Sequence, residues 1–215
     1  MRWIMGLCAA GLMMTGVAQA QTTAASGEYT GYVEGFAQSA FGNVTSQSFG
    51  AEAGVNYGSL RFFGELGVIR DTSPDSLGAA AQLIAGYLTR TQTAAVSYSV
   101  RQPVLFIGGG VRYVIPYDEE FEPYIVGGFD LARVKRDIGF TVGGTDVTDT
   151  IGSYGVALGS DLSGTSSRSM INFGGGLVWN VRGSLFLDLQ YRFGRIFDDE
   201  AFTVHRIGAG VGVRF

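Results

Sequence analysis

Cysteine, lysine, histidine and proline are nearly absent. The 215 residues include one cysteine, one histidine and four prolines. Lys135 is the only lysine, so the other 14 of the 15 basic residues are arginine. A lone cysteine excludes a disulfide framework and a thiolate metal cluster. Charged residues amount to 16% with a formal net charge of −4, which leaves no basic footprint for nucleic acid. Low charge combined with 13% aromatic residues is the opposite of a disordered composition. The 34 glycines follow no Gly-X-Y period and bring little proline, which excludes collagen. No stretch of 18 consecutive apolar residues is present, so no membrane-spanning helix is expected.

The first twenty residues differ from the rest. Arg2 precedes an apolar stretch from Trp3 to Met14, and the segment ends in Ala18-Gln19-Ala20. That is a secretory signal peptide with an A-x-A cleavage site, giving a mature chain from Gln21. Cys8 lies inside it with Leu7 before it, so it does not look like a lipoprotein cysteine, and the exported chain has no cysteine at all.

The exported chain is dominated by strand. Eight segments alternate apolar and polar residues with period two, near 31–41, 48–58, 60–69, 104–114, 123–133, 170–180, 184–194 and 205–215. Leu185, Leu187, Leu189, Tyr191 and Phe193 alternate with Phe186, Asp188, Gln190, Arg192 and Gly194. Each segment is about eleven residues, the length of a tilted membrane-spanning strand.

Charge assigns the faces. Glu34, Glu52, Arg61, Glu65, Arg112, Asp130, Asp188, Arg192, Arg206 and Arg214 all fall opposite the bulky apolar residues, and Arg133 at a strand end is the exception. The ten are five acids and five arginines, interspersed with glycine and serine. A closed, narrow interior demands this, because an unpaired buried charge is expensive. A soluble barrel would carry lysine on its wet face, and these strands carry none. The apolar face is therefore the lipid face, and the expected fold is all-β: an eight-stranded antiparallel transmembrane barrel over residues 21–215, with a polar, charge-paired lumen.

Connections and aromatics agree. Long connections (70–103 and 134–169) alternate with short ones, as expected when short turns face the periplasm and long loops face outside. Both termini are then periplasmic. Tyr57, Tyr113, Trp179 and Phe215 mark one aromatic girdle, and Phe41, Phe49, Phe173 and Phe193 fall near the opposite rim. Within 70–103, Leu77–Leu88 reads as a short helix at the rim or over the mouth. Val96, Tyr98 and Val100 alternate in the opposite parity to the next strand, with a reset near Gln102-Pro103. Segment 134–169, with Asp137, Asp146, Asp149 and Asp161, reads as a solvated flexible loop without calcium-loop spacing.

On this plan, on Leu187-Asp188-Leu189-Gln190-Tyr191-Arg192-Phe193 and on the ending Gly210-Val211-Gly212-Val213-Arg214-Phe215, the chain resembles the small eight-stranded outer-membrane barrels of the OmpA/OmpX and opacity-protein type. The resemblance implies the outer membrane of a Gram-negative-type bacterium and contact with outer-membrane lipid and lipopolysaccharide; with the last strand at the end of the sequence, the peptidoglycan-binding domain that some relatives append is not expected. It also implies an assembly signal at Tyr191, Val211, Val213 and Phe215, read by the barrel-assembly machinery.

For function, the reading is a non-enzymatic structural or surface-interaction protein. It needs no metal or cofactor and meets an extracellular protein or surface ligand through loops 70–103 and 134–169. A small pore or carrier for hydrophobic solutes is the alternative. A lipid-modifying enzyme is disfavoured. His205, the only histidine, is followed by Arg206 and Ile207, without the hydroxyl of a His-x-Ser arrangement. The triple glycines at 108–110 and 174–176 lie mid-strand, which suits curvature and close packing rather than phosphate cradling.

Overall fold

The computed structural model describes residues 29–117, 120–159, 162–198 and 201–215. The signal-peptide segment, Gln21 and Asp161 lie outside the described residues. Ten strands and one α-helix are formed: β1 (Gly31–Phe41), β2 (Ser46–Tyr57), β3 (Leu60–Ile69), α1 (Asp75–Thr91), β4 (Val96–Arg101), β5 (Val104–Val114), β6 (Phe121–Val142), β7 (Thr145–Asp146), β8 (Gly164–Arg182), β9 (Leu185–Phe197) and β10 (Phe202–Arg214). A 3₁₀ segment, Thr148–Tyr154, lies between β7 and β8.

Eight strands close on themselves. Neighbours pair antiparallel from β1 through β2, β3, β5, β6, β8 and β9 to β10, and β10 pairs back onto β1. The seam runs from Tyr32 opposite Arg214 to Phe41 opposite His205. Below it, the amides of Thr30 and Gly31 both donate to the Phe215 carbonyl at 2.9 Å. Closure leaves no sheet edge within the barrel, the only way a sheet satisfies its backbone in hydrocarbon.

Two of the tight turns share one solution. Gly58-Ser59 joins β2 to β3 and Gly183-Ser184 joins β8 to β9, each with the glycine at positive φ (58° and 56°). A hairpin that tight needs a residue free of a Cβ penalty there. Tyr57, Tyr113, Trp179 and Phe215 stand exposed on the outer surface at this short-turn end, where Trp179 stacks on Phe121 at 6.3 Å.

The outer surface is apolar across the middle, with Phe62, Leu66, Ile107, Ile125, Phe129 and Leu189 each about half exposed. On β8 the outward residues from Ile171 to Trp179 span eight residue steps. That is about 27 Å along the strand, or about 21 Å along a membrane normal at a tilt of about 40°. The barrel is thus a transmembrane one.

Above the barrel, the expected flexible loop at 134–169 is corrected, over most of its described residues, to ordered structure. β6 continues to Val142 and β8 begins at Gly164, so both strands stand well clear of the apolar band. The cause is an inversion of pattern. In the membrane, β6 points Phe129 and Leu131 outward, but higher up it buries Val134, Ile138 and Phe140 and turns Lys135 and Asp137 to water. The loop at 70–103 supplies α1 and β4. β4 pairs with the top of β6, from Val96 opposite Val142 to Arg101 opposite Asp137. α1 lays Leu77, Ala81, Ala85 and Leu88 against Ile138, Phe140, Val147 and Ile151. Those β6 residues share the parity of the lumen, so α1 lies on the side that continues the barrel interior.

Glycine on the inner face is required by close approach. A Cβ on Gly174 would meet the backbone of Tyr191 and Arg192 on β9, whereas one on the outward Gly35 meets nothing within 4 Å. Gly174→Val should therefore lower unfolding stability in detergent micelles by about 1–3 kcal/mol. Gly35→Val should stay within about 0.5 kcal/mol. Equal urea midpoints for the two variants would contradict this inner-face packing.

Candidate functional site

Inward-pointing side chains stack in layers along the lumen. At the short-turn end Glu122 accepts from Arg61, from both terminal nitrogens of Arg214 at 3.0 and 2.9 Å, and from Asn180 at 2.9 Å. Sequence reasoning began this strand at residue 123 and missed Glu122. The signal was available, since 122 continues the even-numbered inward series Tyr124, Val126, Gly128 and Asp130. With it the interior holds six acids against five arginines.

The next layer is built around Arg112 and Glu52. Arg112 reaches Glu52 at 2.8 Å, Asp188 at 3.1 Å and Glu34 at 3.8 Å, with its guanidinium 4.1 Å from the Tyr124 ring centre. Glu52 also accepts from Arg192 at 2.8 Å and from the Tyr32 hydroxyl at 2.5 Å. The Tyr124 hydroxyl lies 2.9 Å from each Asp188 oxygen, and Gln190 donates to Glu34 at 2.9 Å. Arg112 and Arg192 are 1% exposed. Burying such charges is expensive unless they are paired and hydrogen-bonded, as Arg112 and Arg192 are to Glu52.

The third layer departs from the expected pairing. Asn172 donates to Asp130 at 2.5 Å and to Glu65 at 3.2 Å, tying the two carboxyls together through an amide. Arg206, also 1% exposed, makes no ion pair among the described residues. Its guanidinium lies 4.6 Å from the Phe106 ring centre, and neither terminal nitrogen has a hydrogen-bond partner. Six acids and five arginines come close to balance, yet the count does not decide which groups meet.

Above this the lumen is mainly apolar, with Gln38, Ser46 and Ser48 buried among the apolar residues, which corrects the expected wholly polar interior. Phe36, Ala40, Ile69, Val104, Phe106, Ala132, Val134, Met170, Ile196 and Val204 form a buried apolar cluster that closes the barrel beneath the cap. Ala40, Ile69, Val104, Ile196 and Val204 lie at or near strand ends, whereas Phe36, Ala132, Val134 and Met170 lie within their strands.

The cap has its own core and its own polar fastenings. Asp198 pairs with Arg136 at 2.9 Å and Arg168 at 2.7 Å, and Thr72 donates to the Gln102 carbonyl at 2.8 Å. In the hairpin above, hydrogen bonds from the Thr148 hydroxyl (2.6 Å) and amide (2.9 Å) hold the Asp146 carboxyl below its usual range. Leu83 and Tyr87 of α1 and Tyr98 of β4 remain exposed, Leu83 by 77%. A cavity of about 570 Å³ lies between the N-terminal turn of α1 and the rim, lined by Asn43, Asp75, Gln102, Arg136 and Phe202 among others.

His205 faces outward at the long-loop rim. Its Nδ1 is 2.8 Å from the Tyr191 hydroxyl and its ring packs edge-on to Phe193 at 5.3 Å. Tyr191, Val211, Val213 and Phe215 all face outward too. Among the described residues no group of three or more metal-ligating side chains occurs.

No family model matches the chain, and no curated protein is significantly similar to it in sequence. Solved structures are similar in fold. Neisserial surface protein A has a TM-score of 0.55 at 18% identity, covering 87% of this chain and 96% of its own. A major outer membrane protein of Thermus thermophilus also gives 0.55, at 11% identity over 87% of this chain and all of its own. The N-terminal β-barrel domain of Pseudomonas aeruginosa OprF gives 0.51 at 12% identity, over 86% and 98%. The chain has the fold of the small eight-stranded outer-membrane β-barrels of the OmpA/OmpX type.

Glu52 is the group on which two buried arginines depend. Glu52→Ala should cost about 3–5 kcal/mol in urea unfolding, since it strands Arg192 and removes the shortest of the ion pairs of Arg112. Arg206→Met, which breaks no direct ion pair, should cost under about 1 kcal/mol or stabilise. The reverse order would show that the layers are held together differently.

Proposed function

We propose that the protein is an integral outer-membrane barrel whose activity is contact made by its cap, with the lumen serving as a structural plug. The observation that carries this reading is the filled interior beneath an ordered cap. Three polar layers and one mainly apolar layer occupy the lumen, and α1, β4, the top of β6 and the 3₁₀ segment with its flanks form a separate core above it. A loop kept merely as a connection has no need of a 17-residue helix packed on its own core.

In this reading the long-loop end faces outside, and the termini and short turns face the periplasm. Residues 1–20 act as the signal peptide. The outer surface meets outer-membrane lipid and lipopolysaccharide, and Phe215 with Tyr191, Val211 and Val213 serves the barrel-assembly machinery. Exposed Leu83, Tyr87 and Tyr98 give the cap an apolar contact surface for an extracellular protein or surface ligand. The protein is a non-enzyme: His205 is engaged with an outward tyrosine on the barrel wall rather than with an acid in a cleft. A pore would need an aqueous path, and the apolar layer weighs against one.

Two measurements test this. An epitope inserted at Gly143-Gly144, the exposed tip of the β6–β7 hairpin, should be labelled on intact cells, and one at Gly183-Ser184 only after permeabilisation. Refolded protein in planar bilayers should give no stable conductance; reproducible unitary steps would overturn the plug.

A further inference from the structure

We propose that the outward face of β6, β8, β9 and β10 at the long-loop rim binds the phosphate of an anionic lipid headgroup, with Arg133 and Arg195 as its cationic contacts. The inference rests on the membrane reading above and adds a lipid class to it. Register places the parts. Arg133 stands opposite Ser167, and Arg195 opposite Ile171 and Thr203. Ser169, opposite Leu131 and Phe197, is the diagonal neighbour of both arginines. Diagonal neighbours on one face of a sheet lie about 7–8 Å apart, within reach of long side chains. One headgroup over Ser169 can therefore meet two guanidiniums and a hydroxyl, the donor set that suits phosphate oxygens.

Neighbouring cations show what is unusual about this pair. Lys135 has Asp137 at 3.0 Å, and Arg136 and Arg168 share Asp198 at 2.9 and 2.7 Å. Among the described residues neither Arg133 nor Arg195 has an acid. Asp137, already engaged by Lys135, is the one acidic residue facing outward on these four strands among the described residues. A cation at the edge of hydrocarbon with no protein anion attracts one from the membrane.

The position selects a lipid over a soluble phosphate. Directly beneath the arginines lie Leu131, Phe129 and Phe173, 57%, 52% and 53% exposed, an apolar wall for acyl chains. A headgroup bound above them keeps its tails in contact with that wall, an advantage free phosphate lacks.

The test uses the full barrel in vesicles of phosphatidylcholine containing a minority of phosphatidylglycerol. Native mass spectrometry of the released protein then counts retained lipid of each kind. Wild type should retain phosphatidylglycerol in excess of its share. R133Q/R195Q should lower that excess by about twenty-five-fold, roughly fivefold per arginine. R133K/R195K should retain most of it, and R182Q, at the exposed short-turn end, should leave it unchanged. A wild-type excess in R133Q/R195Q, or an equal loss in R182Q, overturns the proposal. Failure of the membrane reading looks different: wild type itself would not insert and would carry neither lipid.

Discussion

Hydrogen bonds between β1 and β10, continued just beyond them by Thr30 and Phe215, 185 positions apart in the chain, turn a sheet into a tube. In hydrocarbon an unpaired backbone amide costs several kcal/mol, so a sheet that stopped short of closure would not be tolerated there. Closure with eight strands then fixes the radius, and the radius fixes the interior. Side chains must fill it without leaving a pore and without overlapping. Glycine at positions such as Gly174 is one consequence, since the facing strand leaves no volume for a Cβ. Long side chains reaching across the axis from opposite walls are the other.

Those long side chains are charged, and this shapes their arrangement. Arg112 spans from β5 to acids on β1, β2 and β9, and Arg192 reaches β2 from β9. Each ion pair therefore clamps strands that share no backbone ladder. Such pairs are weak evidence of stability in themselves, because desolvation offsets most of the Coulomb gain. Their value is in register. A strand slipped by one residue would send Glu52 or Asp188 into lipid, so the charges penalise every wrong register more than they reward the right one. Arg206 marks the limit of this logic. Its flank toward the apolar layer is covered by the Phe106 ring, which offers a cation a π-face and no counter-charge.

The strand centres were legible in the sequence because one physical rule governs them: apolar outward, polar inward, period two. β1, β3 and β5 match their expected limits, since turns or breaks bound them at both ends. Errors begin where the rule changes its sign. Above the membrane, water replaces lipid outside, so apolar residues move to the inner face. Val134, Ile138 and Phe140 then fall in the parity that meant lumen a few residues earlier. Read with the lower rule, that stretch is a loop with scattered charges. Glu122 was lost for a simpler reason: Pro123 looks like a strand boundary, although a proline amide facing away from its partner strand is tolerated in a ladder. The pairings of Arg61 and Arg214 with Glu122, and the isolation of Arg206, depend on how far side chains reach across the axis, which periodicity does not encode.

The sign change also explains why Arg133 and Arg195 are where they are. An outward residue on these strands meets lipid below the rim and water above it. At the boundary it meets headgroups, so the preferred chemistry passes from aliphatic to cationic to mixed within a few residues. On β6 the outward series runs Phe129, Leu131, Arg133, Lys135, Asp137, and the first acid appears only where water does. On β9 it runs Tyr191, Phe193, Arg195. A rim selected only for solubility would admit acids and bases alike at that level. Cations alone at the boundary, acids only above it, is the order expected if the adjoining leaflet supplies the negative charge.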